Sequence, residues 1–177
     1  MRIETSGVRV QNSPINGLGV FAERPFRKGE RLLGIDDSRV VDRTQPLAPG
    51  EDPRHCDYLA RGQVVLMRSP ERHINHSCDP NCYAKTVDGR RLVLALRDVE
   101  AGEEITYDYC INGGGTTVWN CHCGAARCRQ EIHSDFFHLP ASLQLEYLPL
   151  LDDWFREERA AEIKELGRVS PEKPAGA

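Results

Sequence analysis

The chain has 177 residues, 40% of them hydrophobic and 28% charged, and a formal net charge of −4. That length suits one compact domain with a small appendage, and no apolar run reaches the roughly 18 residues of a membrane span. The mildly acidic balance argues against a nucleic-acid binder, which normally carries a basic stripe, and suits a basic protein or peptide partner.

The opening "MRIETSGVRVQ" has no apolar h-region, so no signal peptide is expected and the chain is placed inside the cell, in the cytoplasm. Thiols stay reduced there. Its seven cysteines therefore read as metal ligands or free thiols rather than a disulfide framework.

"VRVQ" (8–11) and "GVFA" (19–22) read as short strands, and "RLLGI" (31–35) as another beyond the turn at "RKGE". Residues 36–62 are irregular, with one short helix expected near "RHCDYLA". "QVVLM" (63–67) reads as a buried strand. "CYAKTVDGRRLVLAL" predicts a hairpin turning at Asp88-Gly89, and "EEITYDY" (103–109) one more strand. "KGE" and "AGE" each turn the chain just before a strand. "NGGGTTVWN" reads as a flexible connector. Pro140 opens a helical stretch, and Leu151, Trp154, Phe155, Ile163 and Leu166 form a one-sided stripe of a helix docked on the core. The tail "GRVSPEKPAGA" reads as disordered. Many short strands with frequent turns, followed by helices, predict a mainly β fold with appended α.

Four stretches carry chemistry. "GLGVFA" mimics a dinucleotide-binding fingerprint, but Pro25 and Lys28-Gly29 interrupt the turns where a phosphate-binding helix would have to start. The glycines still let a ligand lie close to the backbone. "RHINHSCDPNCY" packs histidines, asparagines and cysteines into a polar turn. His76 and Cys78 are two apart on one strand face and lack an orienting group, so they make a poor nucleophile–base pair. In "GEEITYDY", alternation directs Tyr107 and Tyr109 to the same side. "CHCGAARC" places Cys121, Cys123 and Cys128 at the spacing of a metal knuckle that wants a fourth ligand. Cys78 can supply it, with Cys82 the main rival.

Taken together, "NGLGVFA…RKGE", "RHINHSCDPN", "GEEITYDY" and "CHCGAARCR" resemble, in order and spacing, the SET-domain protein lysine methyltransferases that carry a post-SET zinc motif. The resemblance covers roughly residues 8–129, and the long tail is similar to that of short stand-alone bacterial SET proteins. It implies a SET fold of small curved sheets with a knot-like threading, a post-SET zinc knuckle and C-terminal helices. Residues 1–111 would form the SET domain, 112–132 the zinc motif, 133–167 a helical extension and 168–177 a disordered tail. Asn16, Gly17, Leu18 and Gly19 would hold S-adenosylmethionine together with Arg72, Asn75 and His76. Tyr109 would be the catalytic tyrosine, and Tyr107 the residue that tunes how many methyls are added. Cys78, Cys121, Cys123 and Cys128 would bind one structural zinc, leaving Cys56, Cys82 and Cys110 as free thiols.

The implied activity is methyl transfer from S-adenosylmethionine to a lysine of a histone or other basic protein. The alternative is a catalytically silent module that binds a lysine-bearing partner. Three departures stand out: no cysteine-rich segment precedes the core, the insert lacks the family's "EY-x-G-E", and the tail continues past the knuckle. Tyr58 is the nearest replacement for the missing tyrosine, and Phe136 or Phe137 the candidate to cover the cofactor.

Overall fold

The computed structural model describes residues 7–167; the first six residues and the expected disordered tail, 168–177, lie outside them. Among the described residues, twelve short strands run in chain order: β1 (Val8–Asn12), β2 (Leu18–Ala22), β3 (Arg31–Gly34), β4 (Val40–Val41), β5 (Cys56–Tyr58), β6 (Val64–Leu66), β7 (Asn75–His76), β8 (Cys82–Val87), β9 (Arg90–Ala95), β10 (Glu104–Tyr107), β11 (Gly114–Asn120) and β12 (Glu131–Asp135). Helices α1 (Ala141–Tyr147), α2 (Asp153–Glu158) and α3 (Ala160–Leu166) follow. The fold is mainly β with appended α, as the sequence predicts. No helix among the described residues is long and apolar enough to cross a membrane.

The strands make four small sheets, ordered β1-β2-β10-β7, β3-β9-β8, β4-β6-β5 and β11-β12. The β8–β9 hairpin closes through Asp88 and Gly89 at φ +49° and +73°, the positive angles that an Asp-Gly turn supplies cheaply. The two similar turns before β3 and β10 lie side by side. Phe26 and Val99, each just ahead of its turn, exchange two backbone hydrogen bonds of 2.8 and 2.9 Å.

Two apolar clusters result. The first gathers Val20, Phe26, Leu33, Val93, Val99 and Ile105 from the strands, burying β-branched and aliphatic side chains where sheet faces meet. The second mixes the thiols Cys78, Cys110 and Cys121 with Ile132, Phe136, Tyr147, Leu151 and Phe155.

Three expectations are corrected. Near "RHCDYLA" there are only two 3-10 turns, Pro53–His55 and Ala60–Gly62, on either side of strand β5. Asp57 pairs with Val65 of β6, so a neighbouring strand overrides the local helical tendency. "NGGGTTVWN" is not a loose connector. It forms β11, whose Trp119 pairs with Ile132 of β12. A Cβ on Gly113, just before it, would stand 2.5 Å from the Ser134 carbonyl, so that glycine serves close approach rather than flexibility. Finally, the stripe from 151 to 166 is two helices, broken at Arg159 (φ −111°, ψ 27°). There the guanidinium stacks over Phe137, 4.6 Å from the ring centroid.

The extension is strapped to the rest of the chain. Buried Asp152 accepts hydrogen bonds from Thr86 N–H (3.0 Å) and Thr86 Oγ1 (2.8 Å) on β8. Its own N–H donates to Asn112 Oδ1 at 2.7 Å. Glu158 Oε1 accepts from Arg61 N–H of the insert at 2.6 Å.

Candidate active site and metal centre

Chain geometry gathers the four thiols first. The loop after β7 drops Cys78 beside the segment between β11 and β12, where Gly124 turns at φ +74°. The Sγ atoms of Cys78, Cys121, Cys123 and Cys128 all lie within 4.8 Å of one another. Cys78 and Cys121 are 3.9 Å apart, close to the ~3.8 Å edge of a tetrahedron with Zn–S bonds of about 2.3 Å. N–H groups already point at the sulfurs, from Arg129 to Cys78 (3.3 Å) and from Cys78 to Cys123 (3.5 Å). Such donors favour thiolates. Against the opposing effect of burial, N–H bonds from Cys78 and Ala125 bring the Cys123 thiol down to about 7. The donor set fits a structural zinc. Cys82 does not join it: its thiol is buried in the first cluster and donates to the Thr106 carbonyl at 3.0 Å.

A salt bridge locks the knuckle to the strand core. Asp108, fully buried, accepts both arms of the Arg129 guanidinium at 2.5 and 2.9 Å. Neither residue stood out in the sequence, although Arg129 directly follows the last knuckle cysteine.

Beside the knuckle opens a cleft of about 310 Å³ lined by Asn16, Asn75, His76, Tyr109, Trp119 and His122. Its floor is the loop between β1 and β2. Asn75 Nδ2 lies within 3.2 Å of the Asn16 carbonyl, the Leu18 carbonyl and Ser13 Oγ, and 2.8 Å from Glu104 Oε1. Ser13 donates to the same carboxylate at 2.8 Å. Asn75 thus organises the loop from beneath. Gly17 takes φ +48° with nothing within 4 Å of where a Cβ would be, so its outer side is open. Gly19 is closed instead: a Cβ would meet Ser13 Cβ at 2.9 Å. A polar loop with exposed backbone, facing an aromatic wall, fits an adenosine-bearing ligand.

Parallel pairing of β7 with β10 sets Tyr107 opposite His76. The strand ends at Tyr107, so Tyr109 is brought over by a turn rather than by alternation. Its N–H donates to His76 Nδ1 (3.1 Å) and its hydroxyl to the Ile74 carbonyl (2.7 Å). The two phenol rings nevertheless meet at 5.2 Å between centroids. Burial raises both hydroxyl pKa values, that of Tyr109 to about 12, so each stays protonated at neutral pH. Burial also lowers His76 to about 4, outweighing the attraction of Asp108. The imidazole is neutral, with Nδ1 accepting and Nε2 facing Cys78 Sγ at 3.5 Å.

Some sequence candidates lie elsewhere. Arg72 is exposed, donates to the neighbouring His73 and does not line the cleft. Phe136 is buried in the second cluster and Phe137 stacks on Phe155, so neither covers the cleft. Trp119 takes that place, edge-on to His76 at 5.6 Å. It was hidden by the reading of its segment as a connector. Tyr58 is 68% exposed on β5 and does not line the cleft.

Comparison with known proteins agrees with this architecture. The SET domain family profile matches residues 17–110, and the chain belongs to that family. It is similar to histone-lysine N-methyltransferase Set2 of Drosophila melanogaster, 34% identical over 134 residues, covering 68% of this chain and 6% of that protein. Histone-lysine N-methyltransferase 2B of Homo sapiens is 32% identical over 145 residues, covering 71% and 5%. Histone-lysine N-methyltransferase trithorax of Drosophila virilis is 38% identical over 144 residues, covering 71% and 4%. The chain therefore spans only a small fraction of these relatives' length.

Proposed function

We propose that this chain is a zinc-containing, S-adenosylmethionine-dependent protein-lysine N-methyltransferase, acting inside the cell on a lysine of a histone or other basic protein. The observation that carries the reading is the shared edge between the cleft and the tyrosine pair: Tyr109 lines the cleft and also touches Tyr107. The cofactor supplies a sulfonium-activated methyl group. Asn16, Gly17 and Leu18 present loop backbone to it, Gly19 packs the loop closely onto Ser13 and Glu104, Asn75 holds that loop, and His76 and Trp119 offer ring surfaces. Zinc on Cys78, Cys121, Cys123 and Cys128 holds the knuckle as the far wall. In this reading the SET domain ends near 111, the zinc motif spans 112–132 and the helical extension 133–167.

A lysine ammonium with its ordinary pKa near ~10.4 must shed a proton before it can attack, and a narrow, partly apolar site favours the neutral amine. The protonated Tyr109 hydroxyl orients that amine along the line of displacement, so no strong general base is needed. Transfer of labelled methyl to histones and whole-cell protein, wild type beside Tyr109→Phe, is the test. We expect labelling that falls on the order of 100-fold in the variant. No transfer by zinc-loaded wild type to any protein would overturn the reading.

Tyr107 crowds the amine with a second phenol and favours monomethylation. Tyr107→Phe should raise the proportion of dimethyl-lysine in mass spectra of the product, and an unchanged distribution would refute that role.

A further inference from the structure

One side chain touches both the thiol set and Tyr109. Strand β10 ends at Tyr107, whose carbonyl accepts from Ser77 N–H at 3.1 Å. Tyr109 lies beyond the sheet, and its N–H donates instead to His76 Nδ1 at 3.1 Å. A backbone N–H can only donate, so Nδ1 is bare and the ring proton sits on Nε2. Nε2 stands 3.5 Å from Cys78 Sγ. Sulfur bound to zinc is a thiolate, which can only accept, so donor and acceptor match at both ends of the ring. Asp108 does not compete: its Oδ1 lies 3.6 Å from Nδ1, and both of its oxygens are engaged by Arg129. The ring is also confined. It is buried and meets the rings of Tyr109 and Trp119 edge-on, at 5.3 and 5.6 Å between centroids. The far end of Tyr109 is held by its hydroxyl on the Ile74 carbonyl at 2.7 Å. Both anchors therefore lie on the short segment that leads into Cys78.

We propose that His76 is a positioning residue that carries a hydrogen-bonded link from the zinc-binding Cys78 to the backbone of Tyr109, so that the metal centre sets where the catalytic tyrosine stands. The role given to Tyr109 rests on the reading of the site as a lysine methyltransferase; the link itself does not. Partners of this kind, one bond beyond the ligand atoms, tune metal affinity and fix what surrounds the metal. The two ring nitrogens have separate tasks, and substitution can part them. The amide oxygen of an asparagine takes the place of Nδ1 and keeps the bond from Tyr109 N–H, but its side chain does not reach the sulfur. The amide nitrogen of a glutamine takes the place of Nε2 and keeps the bond to sulfur, but leaves Tyr109 N–H without its acceptor. A ring that only filled space between Trp119 and Tyr109 would show no such split.

The test uses cofactor-free protein, because His76 also lines the cleft. In wild type loaded with cadmium-113, NMR should find the His76 ring proton on Nε2 and a scalar coupling from that proton to the metal across the sulfur. Competition with a chelating dye should show zinc bound about tenfold more weakly by His76→Asn and with near wild-type affinity by His76→Gln. In zinc-loaded His76→Gln the Tyr109 amide should exchange about tenfold faster than in wild type. A ring proton on Nδ1, no coupling to cadmium, equal zinc affinity in the two variants, or an unchanged Tyr109 amide in His76→Gln would overturn the proposal. Should both variants fail to fold, the wild-type spectrum decides alone. Methyl transfer by wild type, measured separately, distinguishes the failures. Transfer without the link sinks this inference alone, whereas an intact link without transfer sinks the enzymatic reading alone.

Discussion

The two apolar clusters hold together for different reasons. The first is made mostly of apolar strand side chains, such as Val20, Leu33, Val93 and Ile105, all at 0% exposure. Its stability comes chiefly from their burial. The second surrounds four thiols and the buried Asp108–Arg129 pair with aromatic and helical pieces. One half of the molecule is therefore held by apolar strand packing, while the other combines buried aromatic and helical side chains with a set of thiols that fits a structural zinc.

The sharpest way to break that contrast is to remove the metal. Cys78→Ser, or chelation, should take bound zinc from about one per chain to little or none, with a loss of folding free energy on the order of 10 kcal/mol in the second cluster. Both tryptophans, Trp119 and Trp154, pack against that cluster, so their fluorescence reports it selectively. It should shift to the red while hydrogen exchange stays slow across β2, β9 and β10. Loss of protection in both clusters together would show that they fold as one unit.

A smaller effect is expected from Asp108→Asn, which leaves Arg129 buried with half its partner. We expect a cost of about 3–5 kcal/mol in urea denaturation followed by tryptophan fluorescence. A loss below about 1 kcal/mol would mean that solvent reaches the pair. Leu33→Ala is the counterpart in the first cluster and should cost about 3 kcal/mol while leaving zinc content unchanged. Zinc loss in that variant would abolish the distinction between the halves.

The same contrast explains what the sequence discloses. In the first cluster β9 alternates cleanly and the β8–β9 hairpin carries a decisive turn at Asp88-Gly89, and most of the strands were legible at once as short apolar runs between turns. The thiol spacing was legible too, but two cysteines competed for the fourth position. Only the fold separates them, by turning Cys82 inward to Thr106 and leaving Cys78 beside the knuckle. β11 was missed because its residues are almost all exposed and it begins inside a run of three glycines, so no period marks it. The ion pairs Asp108–Arg129 and Arg91–Asp57 were illegible for another reason. Each joins segments far apart in sequence, and a single charged residue carries no sign of its partner.

The parallel pairing of β7 with β10 has a consequence for the order of assembly. His76 and Tyr107 meet across a hairpin, so the first cluster is complete once the strand ending at Tyr107 has left the ribosome. The thiol set is not complete until Cys128 emerges, and the helices that cover it come later still. A zinc ion on these four cysteines would therefore be taken up only after the strand framework has emerged. Were it withheld, the strand framework would be finished while the wall beside the cleft stayed open.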